Sequence, residues 1–114
     1  MEAIPYQFTF DDLDAIQQAR ELLREPTEEV ERRDSELRKV VARINREADS
    51  LDRYDNDPHG YDRQQRLLEA LRIRRDAILL QLMAAKRKLS IAEQMMLKQA
   101  MELIRRARAR RSHH

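Results

Sequence analysis

Apolar residues recur at spacings of three and four along most of this chain, and polar residues fill the positions between them. One series comprises Val30, Leu37, Val41, Ile44, Ala48 and Leu51. A second comprises Leu68, Leu71, Ile78, Leu82, Ala85, Leu89, Ala92, Met96 and Leu103. This alternation indicates helices with a narrow apolar seam, as in coiled coils. The pattern predicts an all-α protein with no β-sheet.

Helix boundaries follow from the residues between these series. A first helix is expected over about 11–24, with Thr9 or Asp11 as N-cap. Pro26 is expected to interrupt it, because a proline disfavours the α conformation in the residue before it. A second helix is then expected over about 27–56, starting at Thr27.

The strongest turn signal is the segment DNDPHG at residues 55–60, which contains Pro58 and the single glycine, Gly60. A third helix is expected over about 61–108. Ser90 and Glu93 match a capping box, so this helix could break at 89–90 and give a fourth. The unbroken heptad phase across Ser90 favours one continuous helix. The prediction is therefore an antiparallel helical hairpin or coiled-coil bundle of three to four helices.

The domain organisation expected is simple. Residues 1–10 are an extended lead-in, residues 11–110 are a single coiled-coil domain, and residues 111–114 resemble the remnant of a vector-encoded tag. With the turn centred between residues 58 and 59, residues that face each other have numbers that sum to about 117. In this register Leu37 meets Leu80 and Ile44 meets Ile73.

Charge is distributed unevenly along the chain, although the formal net charge is only +2. Residues 1–36 hold eleven acidic and four basic residues, whereas residues 67–114 hold four acidic and twelve basic ones. In the hairpin register these ends face each other and form a charge clasp. Its predicted members are Asp11, Asp12, Glu29, Glu31, Lys86, Lys88, Arg105 and Arg106, and Arg24 is expected opposite Glu93.

Reactive chemistry is poorly represented. The chain has no cysteine, and His59 stands in the turn without a metal-ligand pattern around it. We therefore expect no catalytic residue, no metal, no cofactor and no small-molecule substrate. The chain has no run of about 18 apolar residues, so no membrane association is expected and a cytoplasmic location is predicted.

Two classes of function remain. The favoured one is a non-enzymatic protein interaction module (an adapter, assembly factor or small chaperone) that self-associates or binds a helical partner. Its apolar contacts are predicted at Leu79, Met83, Met95 and Met101, outside the seam. The alternative is a nucleic-acid-associated protein, with anion contacts at Arg72, Arg74, Arg75, Arg108 and Arg110.

Overall fold

A computed structural model describes residues 8–112, with side chains through residue 110, and the elements in this range are all helical. Helix α1 spans Phe10–Asp49, a 3-10 helix spans Ser50–Tyr54, and helix α2 spans Pro58–Ser112. The all-α prediction is confirmed. The prediction of three to four helices is wrong, because two long helices form the hairpin. Most of the expected lead-in, residues 1–7, and the tag residues 113–114 lie outside the described range.

Helix α1 begins with a reciprocal cap. The backbone N–H of Asp12 donates to Oγ1 of Thr9 at 3.2 Å, and the backbone N–H of Thr9 donates to the Asp12 carboxylate at 3.0 Å. Two backbone donors at the helix start are satisfied in this way. Of the two N-caps considered, the structure uses Thr9.

Pro26 lies inside α1 and does not end it, so the predicted break at residues 24–27 is wrong. An interior proline costs about 3 kcal/mol relative to alanine. Arg24 contacts Glu21 at 3.6 Å and Glu28 at 3.8 Å, which links the helix across the proline. Such exposed pairs contribute only about 0.3–0.5 kcal/mol each. Packing of α1 against α2 must therefore supply most of what keeps this helix continuous.

Helix α1 ends at Asp49, before the expected residue 56, and α2 begins at Pro58, before the expected residue 61. Asp57 is the N-cap of α2, since its carboxylate accepts the N–H of Gly60 at 3.0 Å, and Pro58 occupies the favoured first helical position. Gly60 is therefore helical and not part of the turn. A Cβ at Gly60 would lie 2.6 Å from Cδ1 of Tyr54, so a larger residue there would displace the side chain of Tyr54.

Helix α2 continues through Ser90, which confirms the continuous alternative over a break at residues 89–90. The predicted seam of α2 is also confirmed. Leu68, Leu71, Ile78, Leu82, Ala85 and Leu103 are buried, and Leu89, Ala92 and Met96 are half-buried.

The chain divides into two packed units, each formed by part of α1 and part of α2. The turn unit contains residues 29–86, and the described part of the terminal unit contains residues 8–28 and 87–112. The core of the turn unit is formed by Val40, Ile44, Leu68, Leu71 and Ile78. Val40 replaces the predicted Val41, which is partly exposed.

The predicted pairs Leu37–Leu80 and Ile44–Ile73 are wrong, because Leu80 is 67% exposed and Ile73 is 64% exposed. The early start of α2 explains the shift. Gln64 bonds to Glu47 and Ser50, so facing residue numbers sum to 111 and 114 near the turn and not to 117. Ile73 and Leu80 each lie two residues, about 200° around the helix, from the buried Leu71 and Ile78, so they face away from the interface.

Candidate interaction surfaces

The terminal unit has an apolar surface on one side of its two helices. A cavity of about 170 Å³ is lined mainly by Phe8, Ala15, Ile16, Ala100, Leu103 and Ile104. Leu97, Met101 and Ile104 share one face of α2 by their spacing, and Leu13 and Ile16 share one face of α1. Leu97 and Met101 are more than 60% exposed. We call Leu13, Ile16, Leu97, Met101 and Ile104 the apolar face.

The other side of the terminal unit is mixed in character. A depression of about 400 Å³ on this side is bordered by Gln18, Lys98, Glu102 and Arg106 as well as by Leu22. An adjoining depression of about 180 Å³ is bordered by Leu22 and Met95. Charged groups on this side would have to be desolvated or paired by any partner.

The turn unit also carries apolar side chains away from its core. Ile73, Leu80 and Met83 are each more than half exposed. Their spacings of seven and three place them on one face of α2, as in a heptad seam. Helix α2 thus exposes large apolar residues on its outer side within each unit.

The four residues predicted to contact a partner are exposed, but the structure does not bring them together. Leu79 and Met83 belong to the turn unit. In the terminal unit, Met95 borders the depression that contains Leu22, whereas Met101 borders a separate depression with Ile104 and Arg108. Leu97, which lies on the same face as Met101, was not predicted. Its spacing of seven residues from Ile104 was the signal in the sequence.

An ion pair does join the two helices in the terminal unit, at a different position from the predicted clasp. Asp12 is buried and its carboxylate accepts a hydrogen bond from Arg110. The backbone hydrogen bond from Thr9 holds the pKa of Asp12 below its ordinary value, and the charge of Arg110 acts in the same direction. Arg110 lies about one helical turn beyond the residue expected opposite Asp12.

Arg105 and Arg106, the predicted partners of Asp12 and Asp11, instead contact Glu102 within α2, at 2.6 and 3.4 Å. The hydrogen bond from Arg105 lowers the pKa of Glu102 and raises that of Arg105. Arg24 likewise pairs within its own helix and not with Glu93. Ion pairs within one helix are favoured over pairs between helices because residues three or four apart on a helix are already neighbours.

The remaining clasp residues form no such bridge in the part of the chain described. Glu31 and Lys86 both belong to the turn unit, and no ion pair joins them there. Glu29 belongs to the turn unit and Lys88 to the terminal unit.

The arginines considered for anion binding are dispersed. Arg72 and Arg74 are exposed on α2, and Arg75 donates from Nε to the neighbouring Asp76 at 3.1 Å. Arg108 is exposed beside Met101 and Arg105, whereas Arg110 is held by Asp12. Arg75 lies between Leu71 and Ile78 of the seam, and its charged group reaches the surface, as long basic side chains often do.

Gln64 is a buried polar residue that the sequence did not single out. Three acceptors lie within hydrogen-bond distance of its Nε2 and share its two hydrogens: the carbonyl and carboxylate of Glu47, at 2.9 and 2.7 Å, and Oγ of Ser50 at 3.0 Å. Its position four residues before Leu68, on the same seam, was the available signal.

Among residues 8–112, no group of three or more acidic or histidine side chains is arranged to hold a metal ion. Over that range no helix is long and apolar enough to cross a membrane. No protein-family model, curated protein or solved structure matches this chain.

Proposed function

We propose that the protein is a non-enzymatic helical interaction module, of the adapter or assembly-factor type, that associates with further copies of itself. The observation that carries this proposal is the set of large apolar side chains on the outer side of α2. Leu80, Leu97 and Met101 are each more than 60% exposed. Exposed apolar side chains clustered on a helix face are typical of surfaces that another protein covers.

The distribution of charge favours a protein partner over nucleic acid. Binding to a phosphate backbone depends on basic groups that are available to replace its counterions. Arg105 and Arg106 are paired with Glu102, and Arg110 is paired with Asp12. These pairs reduce the positive charge that α2 presents to a polyanion.

The test measures the midpoint of urea unfolding by circular dichroism at protein concentrations that span a hundredfold range. If folding is coupled to dimerisation, the apparent free energy of unfolding rises by about 2.7 kcal/mol over this range, because mass action favours the assembled state. A midpoint that does not change with concentration would contradict self-association.

A further inference from the structure

We propose that the apolar face of the terminal unit docks onto the same face of a second copy, with α1 of each chain alongside α2 of the other. This inference rests on the proposed function and specifies where the association occurs. The resulting interface is a local four-helix arrangement in which Leu13, Ile16, Leu97, Met101 and Ile104 of both copies are covered.

The apolar face is the better of the two sides of the terminal unit for this contact. Its cavity is lined almost wholly by apolar groups, among them Ile16 and Ile104, and Ile104 also borders the depression that contains Met101. The opposite side places Lys98, Glu102 and Arg106 around a depression of about 400 Å³. Covering the cavity side therefore removes apolar surface from water at a lower desolvation cost, although Lys98 and Glu102 also flank Met101 at its edge.

Charge complementarity identifies the occupant as a second copy. Within the terminal unit, residues 10–28 of α1 hold six acidic and two basic residues, a net charge of −4. Residues 87–110 of α2 hold seven basic and two acidic residues, a net charge of +5. A partner that fits this surface must place a basic helix over α1 and an acidic helix over α2. A copy of the same unit supplies both.

Symmetry then determines which helices become neighbours. A two-fold axis parallel to the helices places α1 of each copy beside α2 of the other, so that every adjacent pair is antiparallel and opposite in charge. An axis perpendicular to the helices would instead set α1 against α1, acidic on acidic, and α2 against α2. Like-charge contacts of this kind disfavour the second arrangement.

The register within the unit predicts which residues meet. Ala15 and Leu103 line the same cavity, as do Ala19 and Gln99, and the numbers of each pair sum to 118. A parallel two-fold axis preserves height along the helices. Ile16 of one copy should therefore lie at the level of Met101 of the other, and Leu13 at the level of Ile104.

The experiment is a mixture of two single-cysteine variants, Ile16→Cys and Met101→Cys, under mild oxidation. The natural sequence has no cysteine, so no background thiol competes. We expect the yield of the disulfide-linked heterodimer to exceed that of either homodimer by at least about tenfold, because α1 of one copy lies beside α2 of the other and not beside α1. The pair Leu13→Cys and Ile104→Cys provides a second test at the same level if either first variant fails to fold.

The matched control replaces Ile16→Cys with Gln17→Cys. Gln17 is the next residue on α1 and is exposed, but it lies about 100° around the helix from Ile16. It should give no heterodimer with Met101→Cys.

The mass of the unoxidised mixture, measured in parallel, separates the possible failures. A dimer without the heterodisulfide, or one crosslinked mainly between two copies of Met101→Cys, overturns this docking arrangement and leaves self-association intact. A monomer overturns the proposed function itself.

Discussion

Gln64 lies where the two helices approach the turn, and the NH2 group of its amide bonds across from α2 to residues at the end of α1 and the start of the 3-10 helix. It contacts Glu47 through both the backbone carbonyl and the carboxylate, and it also contacts Ser50. Because the residue is buried, water cannot easily replace these contacts.

Gln64→Ala should therefore lower the free energy of unfolding by about 1–2 kcal/mol, measured by urea denaturation at fixed protein concentration. Gln65→Ala is the matched control. Its amide makes only an exposed hydrogen bond with the hydroxyl of Tyr61, so its loss should cost less than about 0.5 kcal/mol. Equal effects of the two substitutions would show that the contacts of Gln64 add nothing to stability.

Asp12 gives the stability of the protein a defined dependence on pH. Its folded-state pKa is lowered by the Thr9 backbone hydrogen bond and by Arg110, from an ordinary value of about 3.9. The unfolded chain therefore binds this proton at higher pH than the folded chain does. The stabilisation from Asp12 is fully present when the pH is above the ordinary pKa of an aspartate. It is lost as the pH falls through the lowered pKa of Asp12 in the folded protein.

We expect the thermal unfolding midpoint to fall between about pH 5 and pH 2, and to fall less in Asp12→Asn. Glu102, whose pKa is also lowered, contributes a change of the same sign that remains in the variant. Asp11→Asn is the control, since it removes a carboxylate from the same helical turn without breaking the contacts to Thr9 and Arg110. A pH profile of Asp12→Asn that matches that of the unaltered protein would contradict this role for Asp12.

At this scale the sequence predicted types of residue better than partners. Thr9 was identified as a possible cap because capping depends on residues three apart. Asp12 was expected to pair with a C-terminal arginine, and it does, but with Arg110. Contacts between helices depend on register, and a long arginine side chain can span a helical turn, so the choice among Arg105, Arg106 and Arg110 could not be made from spacing alone.

At the scale of elements, Pro26 is the main departure from local preference. It removes one hydrogen bond from α1 and crowds the carbonyl of Leu22. The sequence could not predict that the helix continues, because the packing that compensates comes from residues far along the chain. The early start of α2 was predictable in principle, since Asp57 followed by Pro58 is a strong N-terminal signal for a helix.

Pro26→Ala should raise the free energy of unfolding by about 2 kcal/mol. The substitution removes the cost of a proline inside a helix, and part of this gain is offset because proline also restricts the unfolded chain. Pro58→Ala is the control, because proline is well tolerated at the first position of α2 and its removal should bring no gain. Urea denaturation of both variants provides the measurement. Equal, small effects would show that α1 is in practice broken near Pro26.

At the scale of the whole molecule, the all-α class and the hairpin could be predicted from the sequence, because periodicity and the scarcity of glycine and proline leave few alternatives. The seam of α2 was also predictable, from Leu68 to Leu103. The outward positions of Ile73 and Leu80 also follow from this seam, because each lies two residues, about 200° around the helix, from Leu71 or Ile78. The pairing of these two residues with Ile44 and Leu37 was wrong because it considered only the sum of residue numbers and not the direction of each side chain.

Self-association is the central claim, and sedimentation equilibrium tests it most directly. At micromolar concentration the chain should sediment with a mass of about 27 kDa, twice its 13.7 kDa. Leu97→Gln combined with Met101→Gln, on the apolar face, should shift the equilibrium toward the monomer at least tenfold, because the variant gains less from burying that face. A mass of 13.7 kDa for the unaltered chain across this range would contradict the account.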